Sequence, residues 1–243
     1  MKTTKYLISA VLGSSMLCSA GHAAGCHDLS KAHHGFYVGA NAGYVTGQTN
    51  VKHDYKFGNR RSDKSSLSGK GAIGGLNLGY QHHFTGSRIV AGLDLKGTFS
   101  GLSGKSHANA NDMYEVADRV KMTNSLGAAL RLGVLWHNVL PYVKVGYVSS
   151  NWKTQSIFAP TVSRNAKTNN HKKRLNGAEF GVGIDIPMTE ALTVGGEYSF
   201  ERYQKLSQIH KNTLNADRIN IKYKPTTNQF VLRVKYKLSG FGF

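Results

Sequence analysis

The chain ends with residues 226–243, TTNQFVLRVKYKLSGFGF, and this stretch decides the fold. From residue 230 onward, apolar and charged side chains alternate. One face carries Phe230, Leu232, Val234, Tyr236 and Leu238, and the other carries Val231, Arg233, Lys235 and Lys237. Because successive side chains of a β-strand point to opposite faces, the segment has one apolar face and one cationic face. The stretch therefore predicts an amphipathic strand, which either covers a soluble core or faces a membrane.

The opposite end of the chain has the layout of a secretory signal peptide over residues 1–24. Two lysines precede an apolar run from Tyr6 to Leu17, and small residues follow as far as Ala24. The apolar run is too short to span a bilayer as a helix. We therefore expect export into or across a bacterial envelope, with residues 25–35 as a short N-terminal lead of the mature chain.

The composition favours many strands over a helical enzyme. The chain has 28 Gly, 12 Tyr and 10 Phe but only 4 Pro. After the signal peptide, no apolar run is long enough for a transmembrane helix. A transmembrane β-strand needs only about 10 residues, half of them apolar, so strands remain compatible with this composition.

The net charge of +18 falls to +16 when Lys2 and Lys5 leave with the signal peptide. In an exported protein, this excess of cations points to anionic envelope partners, such as lipopolysaccharide phosphates or acidic and sulfated glycans. The export signal argues against nucleic acid as the partner.

Seven more alternating segments precede the C-terminal one. They span residues 36–49, 71–84, 88–100, 120–136, 141–154, 175–186 and 191–203. Short turns alternate with four long polar segments. The long segments cover about 50–70, 102–119, 155–174 and 204–225. This order predicts an all-β fold over residues 36–243, an eight-stranded antiparallel up-and-down transmembrane β-barrel with four long extracellular loops.

A soluble eight-stranded barrel is the structural alternative, because alternation alone does not say which face is inside. Two patterns favour the membrane barrel. Glycines such as Gly39, Gly79 and Gly92 share the charged face, and small residues suit the narrow interior of an eight-stranded barrel. Aromatic residues such as Phe36 and Trp136 lie at the ends of apolar faces, as in the interface girdles of membrane barrels.

Two segments carry a family resemblance. FYVGANAGY at residues 36–44 and AIGGLNLGYQ at residues 72–81 resemble the first two strands of OmpA-like, opacity-type outer-membrane β-barrels. The final Phe243, after an amphipathic strand, is similar to the assembly signal that the barrel-assembly machinery reads in that family. The resemblance covers nearly all of residues 36–243, without the peptidoglycan-binding domain of longer members. It implies a monomer among outer-membrane lipid and lipopolysaccharide, with a structural or surface-interaction role.

The charged faces of the predicted strands would meet inside the barrel. We predict a lumen charge network, to which Glu201 and Lys237 on the same faces can add. The network consists of Asp94, Lys96, Arg131, Lys144, Glu179, Asp185, Glu197, Arg233 and Lys235. Charges in so narrow a lumen must be paired, which favours a salt-bridge plug with Arg131 near its middle. The alternatives are a proton or ion path and a small passive porin.

Cations also cluster in the predicted loops. The basic loop patch consists of Arg60, Arg61, Lys64, Arg164, Lys167, Lys172, Lys173 and Arg174. The favoured interpretation is a solvated surface that meets lipopolysaccharide phosphates. The alternative is an adhesin that binds acidic or sulfated host glycans.

The sequence predicts no enzyme, cofactor or metal site. His82, His83 and Ser87 are neighbours, but their spacing does not select a nucleophile, a base and an orienting group. The histidines of the lead, His33 and His34 among them, are only a weak metal signal. Cys26 is the single cysteine after the signal peptide, so no intramolecular disulfide can form.

Overall fold

A computed structural model describes residues 32–55, 61–110, 114–160, 167–211 and 218–238, and these residues are almost entirely β-strand. Ten strands follow one another along the chain. They are β1 (Gly35–Tyr55), β2 (Arg61–His83), β3 (Ile89–Ser100), β4 (Ser103–Ala110), β5 (Tyr114–Val134), β6 (Leu140–Pro160), β7 (Lys167–Pro187), β8 (Leu192–Tyr203), β9 (Leu206–Lys211) and β10 (Arg218–Lys237). The described residues include no helix that is long and apolar enough to cross a membrane.

The ten strands form one closed sheet, in which the chain runs from one end of the barrel to the other eight times. β3 and β4 both pair with β2 and β5, so they are two halves of one crossing. β8 and β9 likewise both pair with β10. β1 closes the ring because it pairs with β2 on one side and β10 on the other, so that Tyr37 lies between Gly79 and Lys237. All pairs are antiparallel, which confirms the predicted eight-stranded up-and-down barrel.

Tight turns close one end of the barrel, which we call the short-turn end. Between β2 and β3, the Phe84 N–H donates to the Ile89 carbonyl at 3.1 Å, and Gly86 adopts a φ of 79°. Between β5 and β6, His137 has a φ of 53° beside the bridge that joins Trp136 to Val139. These positive φ values are what tight turns between twisted strands require.

The strands extend further from the short-turn end than the sequence predicts. The β1–β2 ladder continues to Tyr55 opposite Arg61, so paired strand occupies much of the segment predicted as the first loop. The other three predicted loops are shortened in the same way. Alternation marks only the part of a strand with one face in an apolar environment, whereas backbone pairing continues beyond it. The tips at 56–60, 111–113, 161–166 and 212–217 lie outside the described residues.

The apolar faces point outward. Leu76, Leu130 and Leu232 keep 60–70% of their surface exposed, while their polar or charged neighbours Asn77, Arg131 and Arg233 are buried inside. Aromatic side chains lie near both edges of this apolar band. Tyr44, Phe230 and Tyr198 are directly opposite one another on β1, β10 and β8, and the rings of Phe36 and Tyr80 lie 4.9 Å apart near the short turns. This arrangement is that of a membrane barrel, and the soluble alternative is wrong.

Candidate functional site

Ten charged side chains fill the middle of the lumen and form a continuous series of ion pairs, which we call the charge chain. In order of contact, it runs Lys235, Asp185, Arg131, Asp94, Arg233, Glu197, Lys144, Glu179, Lys96 and Glu201. Positive and negative groups alternate along the whole series, so its formal charge is zero. The structure therefore brings together all nine residues of the predicted network and adds Glu201 as the tenth.

Arg131 lies at the centre of the first half of the charge chain. Its two terminal nitrogens donate to the Asp94 carboxylate at 2.6 Å and to the Asp185 carboxylate at 2.7 Å. The guanidinium also stacks on the Tyr142 ring, 3.9 Å from the centroid. Lys235 donates to the same Asp185 oxygen at 2.5 Å. Arg131 is almost fully buried, and these charge-assisted contacts offset the loss of its hydration.

Glu197 connects the two halves. It accepts from the Lys144 ammonium at 2.5 Å, from the Tyr142 hydroxyl at 2.9 Å and from the Arg233 guanidinium. Arg233 in turn reaches Asp94 at 3.3 Å. Each cation except the terminal Lys235 is thus shared between two carboxylates, and each carboxylate contacts two cations or a cation and a hydroxyl.

The second half ends on hydroxyl groups. Lys96 contacts Glu179 at 2.5 Å and Glu201 at 3.1 Å. The other oxygen of Glu201 accepts from the Tyr203 hydroxyl at 2.6 Å and from the Thr227 hydroxyl at 2.8 Å. The carboxylate of Glu201 is therefore satisfied by neutral donors, and the charge chain ends at this residue.

Glycines on the inner faces make room for the long cationic side chains. A Cβ atom at Gly181 would lie 2.7 Å from the Cε atom of Lys144, and one at Gly127 would lie 3.0 Å from the Cε atom of Lys96. Real Cβ contacts are rarely so short, so both lysines occupy space that is free because the neighbouring residue is glycine. The abundance of glycine on the charged faces thus has a packing cause.

Little space remains inside the barrel. A cavity of about 20 Å³ lies beside the charge chain, lined by Asn41, Thr98 and Gln229 among others. Such a volume holds about one water molecule. The interior along the charge chain is therefore filled by side chains.

A second layer closes the lumen on the side away from the short turns, and we call it the apolar layer. Its buried members are Val45, Ile73, Leu102, Met122, Val148, Trp152, Leu175, Tyr203 and Val231. Trp152 packs edge-on against Tyr203, with 5.4 Å between ring centroids. Alternation along the strands does not predict this layer. The available signal was that Ile73, Val148 and Val231 interrupt the polar faces of their strands with apolar residues.

The N-terminal lead contributes to the opposite mouth of the lumen. His33, which precedes β1, is fully buried, and neither ring nitrogen has a hydrogen-bond partner among the described residues. Burial lowers the pKa of His33 to about 4, and the positive charges of Lys235 and Arg131 add to this effect, against an opposing contribution from Asp185. The imidazole is therefore neutral at physiological pH.

Among the residues that the structure describes, the predicted histidines form no catalytic or metal-binding geometry. The Nε2 atom of His83 lies 2.9 Å from the backbone carbonyl of Ser87, and the Ser87 hydroxyl donates to the Phe84 carbonyl. The two side chains therefore do not form a nucleophile–base pair. Over the described residues, no group of three or more His, Cys, Asp or Glu side chains is arranged to hold a metal ion.

The basic loop patch is only partly described. Lys172, Lys173 and Arg174 are exposed on β7 at the end of the barrel away from the short turns. Arg61 and Lys64 lie in β2 and Lys167 begins β7, whereas Arg60 and Arg164 lie outside the described residues. Phe243 also lies outside them, and its role as assembly signal stays a prediction, as do the bounds of the signal peptide.

Comparisons with known proteins agree with this architecture. The family model described as "Outer membrane protein beta-barrel domain" matches residues 10–237. Among solved structures, OprG of Pseudomonas aeruginosa has 10% sequence identity and a TM-score of 0.51, with 86% of this chain and 99% of that chain covered. Neisserial surface protein A has 15% identity and a TM-score of 0.37, with 84% and 97% covered. No curated protein matches the sequence.

The family match spans nearly the whole chain, and the closed barrel fold agrees with it. Because bacterial outer-membrane barrels have short periplasmic turns and longer extracellular loops, we expect the short-turn end to face the periplasm and the opposite end to face outward. The chain belongs to the family of outer-membrane β-barrel proteins, of the OmpA-like, opacity type, and resides in the bacterial outer membrane.

Proposed function

We propose that the protein is a closed, monomeric surface barrel with a structural or surface-interaction role, and that it neither conducts ions nor catalyses a reaction. The observation that carries this proposal is the charge chain of zero net charge, capped by the apolar layer on its extracellular side. An ion that entered would have to break buried pairs and leave single charges uncompensated, which is costly.

The arrangement also argues against a proton path. Arg131 lies between Asp185 and Asp94, and Arg233 lies between Asp94 and Glu197. A guanidinium group cannot be deprotonated in a protein, so a proton cannot pass through it from one carboxylate to the next. The two arginines therefore interrupt any relay along the charge chain.

Single-channel recording in a planar bilayer tests the proposal. The refolded protein is expected to give no discrete openings at any voltage. Heat-modifiable gel mobility verifies that the inserted protein is folded. Repeatable openings whose conductance changes in Arg131→Gln or Glu179→Gln would overturn the closed barrel and favour the small porin.

A second candidate function is binding of acidic or sulfated glycans at the extracellular rim. Its support is the exposed sequence Lys172-Lys173-Arg174, three consecutive cations at the end of the barrel that faces outward. We expect the variant K172Q/K173Q/R174Q to elute from a heparin column at lower salt than the wild type. The variant K70Q/R88Q/K205Q, which loses the same charge at exposed positions elsewhere, serves as the control. Equal shifts in both variants would mean that only net charge matters.

A further inference from the structure

Three lysines lie side by side on the outer wall of the barrel. Lys121 on β5 is directly opposite Lys153 on β6, and Lys153 is directly opposite Lys172 on β7. Directly opposite residues of neighbouring strands have Cβ atoms about 5 Å apart, and like charges at such positions repel each other. No described carboxylate forms an ion pair with any of the three. The row is therefore unfavourable by itself, and a bound anion would relieve the repulsion.

The strand pattern places this row outside the barrel. Trp152, the neighbour of Lys153, is buried in the lumen, so Lys153 points to the opposite face. Lys172 shares its face of β7 with the exposed, lipid-facing Phe180. The lysine row thus continues the membrane-facing surface of β5, β6 and β7 in the extracellular direction.

A neutral polar tier separates the lysine row from the apolar band on the same three strands. The Asn151 amide donates to Asn124 at 2.9 Å, and the Ser149 hydroxyl donates to Asn176 at 2.8 Å. The Arg174 Nε atom donates to Ser149 at 2.7 Å, so this guanidinium is fixed between the polar tier and the lysine row.

The apolar tier begins directly beneath. Leu126, Tyr147 and Phe180 are each more than half exposed on the outer face of β5, β6 and β7. From the membrane outward, one stripe of wall thus presents hydrocarbon, then hydrogen-bonding groups, then a cluster of cations. A soluble polyanion would use the cations alone, whereas an anionic glycolipid has acyl chains, sugar hydroxyls and phosphates in this order.

We propose that the stripe on β5–β7 is a binding site for a phosphorylated glycolipid of the outer leaflet, with its phosphate held by Lys121, Lys153 and Lys172 and its sugar by the polar tier. This proposal specifies a partner for the surface-interaction role proposed above, and it rests on that role. It lies on the outer wall and does not depend on whether the lumen conducts.

The test is titration of the refolded protein in an uncharged detergent with bisphosphorylated lipid A, followed by native mass spectrometry. Lipid A stripped of its phosphates is titrated in parallel. A lysine near an anionic membrane surface contributes about a fivefold gain in affinity. We therefore expect K121Q/K153Q/K172Q to bind phosphorylated lipid A about 100-fold more weakly at low salt and to bind the phosphate-free lipid as the wild type does.

The control is K70Q/R88Q/K205Q, which loses three charges at exposed positions away from the row and is expected to bind within about twofold of wild type. Gel mobility checks that both variants fold, and Lys153→Gln alone, with an expected loss of about fivefold, replaces the triple variant if that variant does not. Equal weakening in the control, or no loss in the row variant, would overturn the site. Displacement of lipid A by a soluble heparin fragment that binds the same lysines would also overturn it, in favour of a glycan.

Discussion

Replacement of Glu197 by glutamine tests the charge chain most directly. The variant keeps the shape of the side chain but removes the carboxylate that Lys144 and Arg233 share. Both cations stay buried, each with one carboxylate instead of two. Removing one partner of a buried ion pair costs about 3–5 kcal/mol, because the remaining charge is uncompensated. We expect the free energy of unfolding of Glu197→Gln to fall by about this amount.

The assay is urea unfolding in detergent micelles, followed by tryptophan fluorescence and by the heat-modifiable gel mobility. A parallel shift of the midpoint at unchanged slope would indicate a change in stability rather than in compactness. The double variant Glu197→Gln/Lys144→Met removes one charge of each sign, so the chain of ion pairs becomes neutral again. It is expected to recover a substantial part of the loss, as coupled neighbours do.

Lys205→Gln is the control for loss of an exposed charge and is expected to lie within about 0.5 kcal/mol of wild type. A Glu197→Gln variant as stable as this control would refute the reasoning. So would a double variant that is no more stable than the single one, because charge balance would then not be what holds the lumen closed.

Three further predictions concern the periplasmic mouth, the barrel wall and the apolar layer. Burial of the His33 ring should become less favourable as the pH falls from about 6.5 towards 4. The pKa of His33 is lowered in the buried form, so the unburied form binds the extra proton first. At pH 5, this proton binding reduces the free energy of burial by about 2 kcal/mol. Protease cleavage before Gly35 should thus increase between pH 7.5 and pH 5 in wild type and His34→Gln but not in His33→Leu, and equal cleavage at both pH values would contradict this. Gly146→Ala should destabilise the barrel by about 1–3 kcal/mol, since a Cβ there would lie 2.6 Å from that of Ala129, whereas Gly196→Ala meets no atom within 4 Å and should be neutral in the same urea assay. Trp152→Ala should cost about 3–5 kcal/mol but leave the bilayer silent, because the charge chain still closes the lumen; openings in this variant would mean that the apolar layer is the true seal.

The sequence was sufficient for the fold and for nine of the ten members of the charge chain, since both follow from strict alternation. Arg131 and Glu197 are inward because each lies between two neighbours on the outer face, and a narrow lumen leaves them no partners except other inward-facing side chains. Which carboxylate pairs with which cation could not be predicted from the sequence. It depends on barrel stagger, which brings Arg233 on β10 to Glu197 on β8 and also to Asp94 on β3.

The apolar layer and the burial of His33 were missed for different physical reasons. Val231 and Ile73 lie on faces that alternation assigns to the lumen, but a lumen-facing apolar residue finds partners only through contacts between distant strands. His33 lies outside any periodic segment, so no pattern marks its burial. The polar ends of the strands were predicted as loops because backbone pairing beyond the membrane leaves no side-chain signature.

The distribution of charge connects the closed lumen with the outer surface. The charge chain holds five residues of each sign, so the net charge of +16 that is left without the predicted signal peptide lies outside it. Cations placed inside without partners would have made the barrel unstable or opened it to anions, whereas on the wall and rim they meet water and anionic lipid. The neutral interior and the cationic exterior thus both follow from the cost of burying an unpaired charge. Changes to the interior should alter stability, and changes to the lysine row should alter lipid binding.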